Sequence, residues 1–326
     1  MTPPTTPTLE IHVPISPTPM FLRQVWALAA SLRRFGGRVG AAAPITAWVS
    51  PELDGLPDLN ARERWAAPLG VTFRWVDPAL FAEHWYYGTA LARWSAAFTA
   101  DVVLMLDADT LICRPLDELV AEVLARPALH GLLTHISPLT EPQWSELYAQ
   151  AGLPAPALEC VPLAADFMDF TKSKRMPPYF NLGVLAAPRA LMHELGDDLF
   201  GEMQRVNAYV ELVFRCQIAL ALAVARQRAP WVGLGLRDNF PNIAGFEQRA
   251  PQELAATRIA HYLNKTDTLN KDRDFSSFEA YAALLQRPGL QGLEALVQQR
   301  LRELGPCALD GWWQRWKTRR LLARTN

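Results

Sequence analysis

Asp107 and Asp109 are the residues of this chain whose types and spacing have the clearest potential for chemistry. They directly follow Val102–Leu106, an uninterrupted apolar run that predicts a strand buried on both faces. Because alternate residues of an extended chain point the same way, the two carboxylates can converge on one cation. Such hard oxygen ligands suit Mg²⁺ or Mn²⁺, which can bridge a diphosphate and neutralise its charge as it leaves.

The Asp-x-Asp pattern carries little information by itself, because it recurs at Asp272 and Asp274. That second pair lies in a polar stretch with no preceding strand, so we predict that its charges are solvated loop charges. The alternative for Asp107 and Asp109 is a loop pair that caps a helix predicted to begin near Leu116. The buried strand before them favours the metal site, since open parallel sheets bind ligands beyond the carboxyl ends of their strands.

Strands and helices alternate through the first half of the chain. Short apolar runs predict the strands, and apolar residues at helical spacing predict the helices between them. The predicted strands are 9–15, 45–49, 71–76 and 102–106, and the predicted helices are 20–35, 81–98 and one from 116 onwards. This alternation indicates an α/β fold with a mainly parallel central sheet flanked by helices.

The second half of the chain is less regular. The predicted strands are 131–136, 180–186, 231–236 and 258–263, with an interior helix at 211–226 and an amphipathic helix at 290–304. Between residues 137 and 178 the chain is Pro-rich and is predicted to be irregular. That stretch could shape an acceptor site or a lid.

The composition is that of an ordinary globular protein, with 50% hydrophobic and 20% charged residues and a net charge of −1. No nucleic-acid partner is expected from this charge balance. The four cysteines, which form no CxxC pair, fit a reducing cytoplasmic setting. Residues 1–8 are predicted to be disordered and not a signal peptide, and no apolar run is long enough for a membrane span. Serine-hydrolase, P-loop and dinucleotide-binding motifs are missing.

Residues 100–119, ADVVLMLDADTLICRPLDEL, resemble the core of the GT-A fold glycosyltransferases. The likeness is nearest to the retaining family 8 enzymes, the group of glycogenin and the bacterial lipopolysaccharide galactosyltransferases. Further segments similar to that family follow in its order: GTALARW at 88–94, YFNLGVL at 179–185, CQIAL at 216–220, LGLRDNFP at 234–241 and HYLNK at 261–265. The resemblance implies one Rossmann-like GT-A domain over 9–286, followed by a helical C-terminal extension over 287–326.

The same resemblance implies a set of site residues. The implied metal ligands for Mn²⁺ or Mg²⁺ are Asp107, Asp109 and His261. The implied donor-binding residues are Pro14, Ile15 and Ser16 at the nucleobase, Arg93 at the phosphates or ribose, Asn181 and Gln217 at the sugar hydroxyls or the reacting carbon, and Lys265 at the diphosphate, together with Asp107, Ala108 and Gly183. Five of these residues also have a plain structural alternative. His261 could be a buried strand-end histidine, Arg93 an exposed helix charge, Asn181 and Gln217 satisfied buried amides, and Lys265 an exposed lysine.

The chain departs from the family pattern on the sugar side of the site. Cys216 stands where the family has an acidic residue before its Gln, so that role is lost, moved to Glu211, or taken by Asp166 or Asp169. Gln217 and Asp166 are therefore the catalytic candidates. An amide is a poor nucleophile, so Gln217 fits a front-face mechanism in which the departing phosphate helps to deprotonate the acceptor. His135 stands where many members carry Asp, and Lys265 follows His261 by four residues rather than six.

The C-terminal segment 309–326 combines tryptophans with basic residues. Trp312, Trp313 and Trp316 follow helical spacing, and five Arg and Lys residues accompany them. A short basic and aromatic helix suits an anionic membrane interface, which would make the protein peripheral on the inner membrane face. The alternative is a final helix whose tryptophans pack on the domain while its arginines face water.

These features predict a metal-dependent glycosyltransferase that moves a sugar, with retention, from a nucleotide diphosphate sugar. A UDP-sugar is the expected donor, and a glycan, a glycolipid or a small molecule is the expected acceptor. The first alternative is a catalytically silent protein that binds sugar nucleotides or acts as a scaffold. The second is a sugar-phosphate nucleotidyltransferase, which normally has a Gly-rich basic loop after its first strand. Here that loop is PISPTPM at 14–20, which argues against it.

Overall fold

The computed structural model describes residues 7–165 and 174–323, and over these ranges the chain is a mixed α/β protein. The strands are β1 Leu9–Ile15, β2 Ile45–Val49, β3 Val71–Trp75, β4 Val102–Leu106, β5 Thr110–Ile112, β6 Leu129–Leu133, β7 Phe180–Pro188, β8 Trp231–Gly233, β9 Phe240–Pro241 and β10 Ile259–His261. The helices are α1 Pro19–Phe35, α2 Gly37–Ala42, α3 Leu59–Arg62, α4 Pro78–His84, α5 Tyr86–Ala92, α6 Asp117–Ala125, α7 Glu141–Gln150, α8 Arg189–Tyr209, α9 Arg215–Gln227, α10 Phe246–Arg249, α11 Pro251–Ala255, α12 Lys271–Asp274, α13 Phe278–Gln286, α14 Gly292–Leu304 and α15 Trp312–Leu322.

Two sheets organise the molecule. The larger sheet has the strand order β3-β2-β1-β4-β7-β6-β8, in which β3, β2, β1 and β4 are parallel. Strand β7 runs antiparallel to both of its neighbours, and β8 pairs parallel with β6. The smaller sheet has the order β5-β10-β9. The prediction of a mainly parallel central sheet flanked by helices is confirmed.

Strand β4 lies in the middle of the large sheet because its side chains are apolar on both faces. Val103 and Met105 pack into one core cluster, while Val102, Leu104 and Leu106 pack into the cluster on the opposite face. Since every residue of the strand is buried, it needs helices on both sides. Strand β4 therefore fixes where the chain emerges at the carboxyl edge of the sheet.

Residues 107–109 join the two sheets. The chain leaves β4 in the large sheet and enters β5 in the small sheet after these three residues. Backbone hydrogen bonds hold the joint on both sides, from Asp107 N to Gly183 O (3.1 Å) and from Tyr262 N to Asp109 O (3.0 Å). The Thr110 hydroxyl also donates to the Asp107 carbonyl (2.7 Å). The Asp-x-Asp sequence therefore sits between β7 of one sheet and β10 of the other.

Several predicted elements differ from the structure. The helix predicted over 81–98 is divided into α4, α5 and a 3₁₀ turn at Arg93–Ser95, because Trp85 between the helices has a positive φ of 53°. The stretch predicted to be irregular contains α7, which begins with a capping box of Thr140 and Gln143. The strand predicted at 131–136 is β6, which ends at Leu133.

The prediction that Asp272 and Asp274 are solvated loop charges was wrong for Asp274. Both belong to the short helix α12, and Asp274 is fully buried. Its carboxylate accepts hydrogen bonds from Arg287 (2.8 and 2.9 Å), from Arg273 (2.7 and 3.1 Å) and from Asn270 N (2.9 Å). These donors outweigh burial, which alone would raise the Asp274 pKa, so that its pKa is lowered.

The C-terminal part of the chain is helical. Helix α14 packs on α1, and a buried ion pair between Arg23 and Asp310 (3.2 Å) joins α1 to the segment before α15. In α15 the residues Trp312, Trp313 and Trp316 are 64%, 62% and 40% exposed, so these tryptophans are not buried in the domain as the alternative expected. Over the described residues, none of the helices has the length and apolar content needed to cross a membrane.

Candidate active site

Asp107, Asp109 and His261 form a compact cluster of potential metal ligands. One ligand atom from each residue lies within 4.8 Å of the other two. His261 Nε2 is 3.4 Å from Asp109 Oδ1 and 4.0 Å from Asp107 Oδ2. The joint between the sheets supplies the two carboxylates, and the end of β10 supplies the imidazole. The three residues that the sequence nominated as metal ligands therefore lie together.

A chain of amides orients the His261 ring. His261 Nδ1 lies 2.9 Å from Asn239 Oδ1, and because an amide oxygen only accepts, Nδ1 is the donor. Asn239 Nδ2 in turn donates to Asn181 Oδ1 (3.0 Å), which also accepts from Gly183 N (2.8 Å). Nε2 is therefore the ring nitrogen that faces the carboxylates. Partners of this kind fix the orientation of histidine ligands in metal sites.

Gly183 on β7 leaves the space that the His261 ring fills. A Cβ at this position would collide with Cε1 and Nδ1 of His261 and with Oδ1 of Asn181. The glycine is therefore required by close packing, and it lies behind the imidazole rather than in the cavity. Its predicted role in donor binding can only be exerted through His261 and Asn181.

Asp109 is a buried carboxylate held in its charged form. Burial alone would raise its pKa, but His261 and Lys271 outweigh burial and hold the pKa well below its usual range. Lys271 Nζ forms an ion pair with Oδ2, while Oδ1 faces His261. Burial by itself would lower the Lys271 pKa, and the pairing with Asp109 more than compensates, so that its pKa is raised. Both groups are therefore charged at neutral pH.

Arg93 lies behind Asp107 and is fully buried. Its Nη1 is 3.6 Å from Asp107 Oδ1 and donates to the Leu106 carbonyl (3.2 Å). Nε donates to the Ala90 carbonyl (3.1 Å). Arg93 therefore contacts the metal-ligand candidate Asp107. It is not among the residues that line the cavity beside the cluster, which is described next. Its predicted contact with donor phosphates stays a prediction.

A cavity of about 530 Å³ opens beside the cluster, a size typical of small-molecule sites. The residues nominated from the sequence that line it come from the end of β1, the joint, β7, α9 and β10. They are Pro14, Ile15, Ser16, Asp107, Ala108, Asp109, Asn181, Gln217 and His261. His135, the residue that departs from the family pattern, also lines it. Most of the site residues nominated from the sequence thus line one cavity.

Other nominated residues lie elsewhere. Lys265 is exposed and pairs with Asp272, while Glu211 is exposed and outside the cavity lining. Asp166, the second catalytic candidate, and Asp169 lie outside the described residues. Cys216 is packed in the core, where burial raises the pKa of its thiol to about 12. A neutral thiol in that place does not replace the acidic residue of the family.

Three polar residues at the site escaped the sequence analysis. Lys271 lines the cavity, but it belongs to a stretch that was interpreted as solvated. Asn239 lies in the segment LGLRDNFP, whose resemblance was noted without a role for this residue. Gln24 lines the cavity from α1 with 1% exposure, and within the described part of the chain neither of its amide atoms has a hydrogen-bond partner. The apolar positions of α1 predict the helix, but they give no signal for a polar residue that faces a cavity.

Several solved structures have a fold similar to that of this chain. Among solved structures, the galactosyltransferase LgtC in complex with donor and acceptor sugar analogs is 16% identical with a TM-score of 0.50, covering 89% of this chain and 95% of that one. Mouse xyloside xylosyltransferase 1 is 11% identical with a TM-score of 0.48, covering 78% and 98%. No curated protein matches the sequence at a significant level. The fold is that of a GT-A glycosyltransferase resembling family 8, as predicted.

The sequence itself matches the family described as the Rhodobacterales glycosyltransferase domain over residues 17–228. This match spans more than half of the chain, and the protein belongs to that family. The matched range includes the Asp-x-Asp joint, Asn181 and Gln217, whereas His261 and Lys271 lie beyond it.

We expect Gly183→Ala to weaken Mn²⁺ binding by about ten-fold or more, the lower end of effects seen when the support of a metal ligand is disturbed. The added methyl group must push the His261 ring away from the carboxylates. Titration of Mn²⁺ in the presence of UDP, followed by the electron paramagnetic resonance signal of the free ion, measures the change.

Gly201→Ala on α8 is the matched control, because a Cβ there meets only Arg205 Nη1, at 3.6 Å. It should bind Mn²⁺ as the wild type does. Unchanged Mn²⁺ affinity in a folded Gly183→Ala protein would remove His261 from the set of ligands.

Proposed function

We propose that this glycosyltransferase is metal-dependent and transfers a sugar from a nucleotide diphosphate sugar, in particular a UDP-sugar, to a carbohydrate, glycolipid or small-molecule acceptor. The observation that carries the proposal is the cluster of Asp107, Asp109 and His261 beside a cavity of about 530 Å³. The cavity lies beyond the carboxyl ends of β1 and β4, where open parallel sheets bind their ligands. The choice of uridine rests on the family resemblance.

The residues of the cluster fit a divalent metal ion. Two carboxylates and one imidazole form a donor set that suits Mn²⁺, and Mg²⁺ is compatible with the carboxylates. Because His261 Nδ1 donates its hydrogen bond to Asn239 Oδ1, Nε2 is the ring nitrogen that a metal would bind. When bound, such an ion supplies the positive charge that stabilises a departing diphosphate.

The cavity wall offers polar groups to a donor. The end of β1, at Pro14, Ile15 and Ser16, would contact the nucleobase, largely through backbone groups. Asn181 Oδ1 already accepts two hydrogen bonds, so its NH₂ group is the part left to donate to a sugar hydroxyl. The amide of Gln24 would gain in a bound donor the partners that the described part of the protein does not provide.

The sugar-facing side of the cavity favours a mechanism without a protein nucleophile. Gln217 lines the cavity, and an amide is a poor nucleophile. Of the carboxylates among the described lining residues, Asp107 and Asp109 belong to the metal cluster and Asp272 is paired with Lys265. Transfer with retention would then proceed on the front face, where the departing phosphate takes the proton of the acceptor hydroxyl. A trapped covalent glycosyl-enzyme, for example on Asp166, or an inverted product would refute this course.

The cavity rim suits an acceptor with both apolar and polar faces. Tyr86 and Val213 line it and are 41% and 69% exposed. His135 also lines the cavity, where burial lowers its pKa, so that it presents a neutral imidazole. An aromatic ring beside polar groups is a common arrangement at surfaces that bind amphipathic ligands. This is the side from which we propose that the acceptor approaches.

Thermal unfolding in the presence of UDP-, GDP- and CMP-sugars, each with and without Mn²⁺, tests the proposed function. We expect one nucleotide to stabilise the protein only when Mn²⁺ is present, by about 2.7 kcal/mol at a hundred-fold excess over the dissociation constant. Asp107→Asn should abolish this stabilisation, while Asp197→Asn, on the exposed surface of α8, should preserve it. Stabilisation by none of the sugars would favour the scaffold alternative, and stabilisation without metal would contradict metal dependence.

Helix α15 is the proposed site of peripheral membrane contact. Trp312, Trp313 and Trp316 are exposed, and basic residues of the same helix accompany them. Indole rings favour the interface between lipid headgroups and acyl chains, and each basic residue near an anionic surface contributes about 1 kcal/mol. Together these features support docking on an anionic bilayer.

Cosedimentation with vesicles of phosphatidylcholine and phosphatidylglycerol tests this contact. The wild type should sediment with the vesicles at low salt, and a variant with Trp312, Trp313 and Trp316 all changed to Ala should stay in solution. Trp85→Ala is the control, since Trp85 is as exposed as Trp312 but lies outside α15. Equal sedimentation of the triple variant and the wild type would exclude α15 as the contact.

A further inference from the structure

Lys271 occupies the position of a cation at the metal cluster. It is the first residue of α12, and its Nζ is paired with Asp109 Oδ2. The other oxygen of the same carboxylate faces His261 Nε2 at 3.4 Å. Asp109 is buried, so its two oxygens have these two partners and little access to water. A metal bound by the cluster would therefore require a carboxylate that the lysine already holds.

The backbone that carries Lys271 is fixed independently of this contact. The Asn270 side chain accepts from the backbone N–H groups of Asp272 (3.1 Å) and Arg273 (3.2 Å). Asp274 anchors the other end of the helix through its buried ion pair with Arg287. Since the lysine side chain has four flexible methylene groups, its ammonium can leave Asp109 while α12 stays in place.

A metal ion on Asp109 Oδ1 and the Lys271 ammonium on Oδ2 compete for the charge of one carboxylate. Two cations on the same carboxylate repel each other, and the repulsion is stronger in a partly buried site than in water. The ammonium needs another anion when it is displaced, because an uncompensated charge is costly on this partly buried wall. Lys271 lines the donor cavity, and a diphosphate in that cavity would provide the new partner.

We infer that Lys271 takes the place of the metal at Asp109 in the free protein and moves to the diphosphate when metal and donor bind together. The inference rests on the proposed function and assigns a coupling to the same site. Metal alone binds weakly because it must displace the Lys271 ammonium, whose charge is then left without an anion as partner. The nucleotide supplies that compensation, so that each ligand strengthens the binding of the other by the same factor.

Lys271→Met separates this role from a merely structural one, because it should change two affinities in opposite directions. Mn²⁺ without nucleotide should bind the variant about ten-fold or more tightly than the wild type, since its competitor is gone. UDP in the presence of saturating Mn²⁺ should bind the variant about ten-fold more weakly, since one phosphate partner is lost. Electron paramagnetic resonance of free Mn²⁺ and calorimetric titration of UDP measure the two affinities.

Lys174→Met is the control, because Lys174 is an exposed lysine that does not line the cavity. It should leave the Mn²⁺ affinity unchanged. If Lys271→Met does not fold, Lys271→Gln serves in its place, since its amide can still donate to Asp109 without carrying a charge. The same rise in the affinity for Mn²⁺ alone is expected.

Unchanged or weakened binding of Mn²⁺ alone to the uncharged variant would overturn the inference, even if UDP binding fell. A wild type that binds Mn²⁺ equally well with and without UDP would overturn it too. The proposed function would instead be refuted if the wild type bound no UDP in the presence of Mn²⁺ and no Mn²⁺ in the presence of UDP. The two failures are thus distinguished by the wild type alone.

Discussion

The arrangement of the site depends on one constraint, which is that the buried carboxylate of Asp109 must have a positive partner. Burial disfavours its charge, and the surroundings compensate with His261 on one oxygen and Lys271 on the other. The scaffold around it supports this compensation. Strand β10 delivers the imidazole beside the joint, Gly183 leaves room for the ring, and Asn239 directs its Nε2 towards the carboxylates. We therefore expect a metal ion to replace the Lys271 ammonium as the positive partner of Asp109.

The joint between the sheets explains how two carboxylates so close in sequence can act together. Strand β4 is held in the large sheet by apolar side chains on both faces, and β5 is held in the small sheet by its pairing with β10. Between them, Asp107 faces the cavity in front of the buried Arg93, whereas Asp109 is enclosed. The more exposed carboxylate is accessible to a donor, and the enclosed one sets the charge balance. The proposed donor site therefore lies at the boundary between the sheets.

The local sequence was sufficient to predict those site residues that follow a recognisable strand or lie in a segment similar to the family. The apolar run of β4 predicted both a buried strand and the position of Asp107 and Asp109, and the ordered family-like segments brought Asn181, Gln217 and His261 to the same cavity. Lys271 could not be found in this way, because α12 is positioned by the buried pair of Asp274 with Arg287, a long-range contact without a local signal. The break at Trp85 has no local signal either, since a positive φ is unfavourable at a tryptophan. The extent of the domain and the roles of Arg93, Lys265 and Asp166 stay predictions.

The central claim is that Asp107, Asp109 and His261 bind a metal that a nucleotide diphosphate shares. A crystal structure with Mn²⁺ and UDP, with data collected at the manganese absorption edge, tests it most directly. The account predicts an anomalous peak within about 2.0–2.2 Å of a carboxylate oxygen of each aspartate and of His261 Nε2, typical of divalent metals with these ligands. Lys271 Nζ should then lie against the diphosphate. A peak at other residues, or a bound diphosphate with Lys271 still paired to Asp109 and no metal in the cluster, would contradict the account.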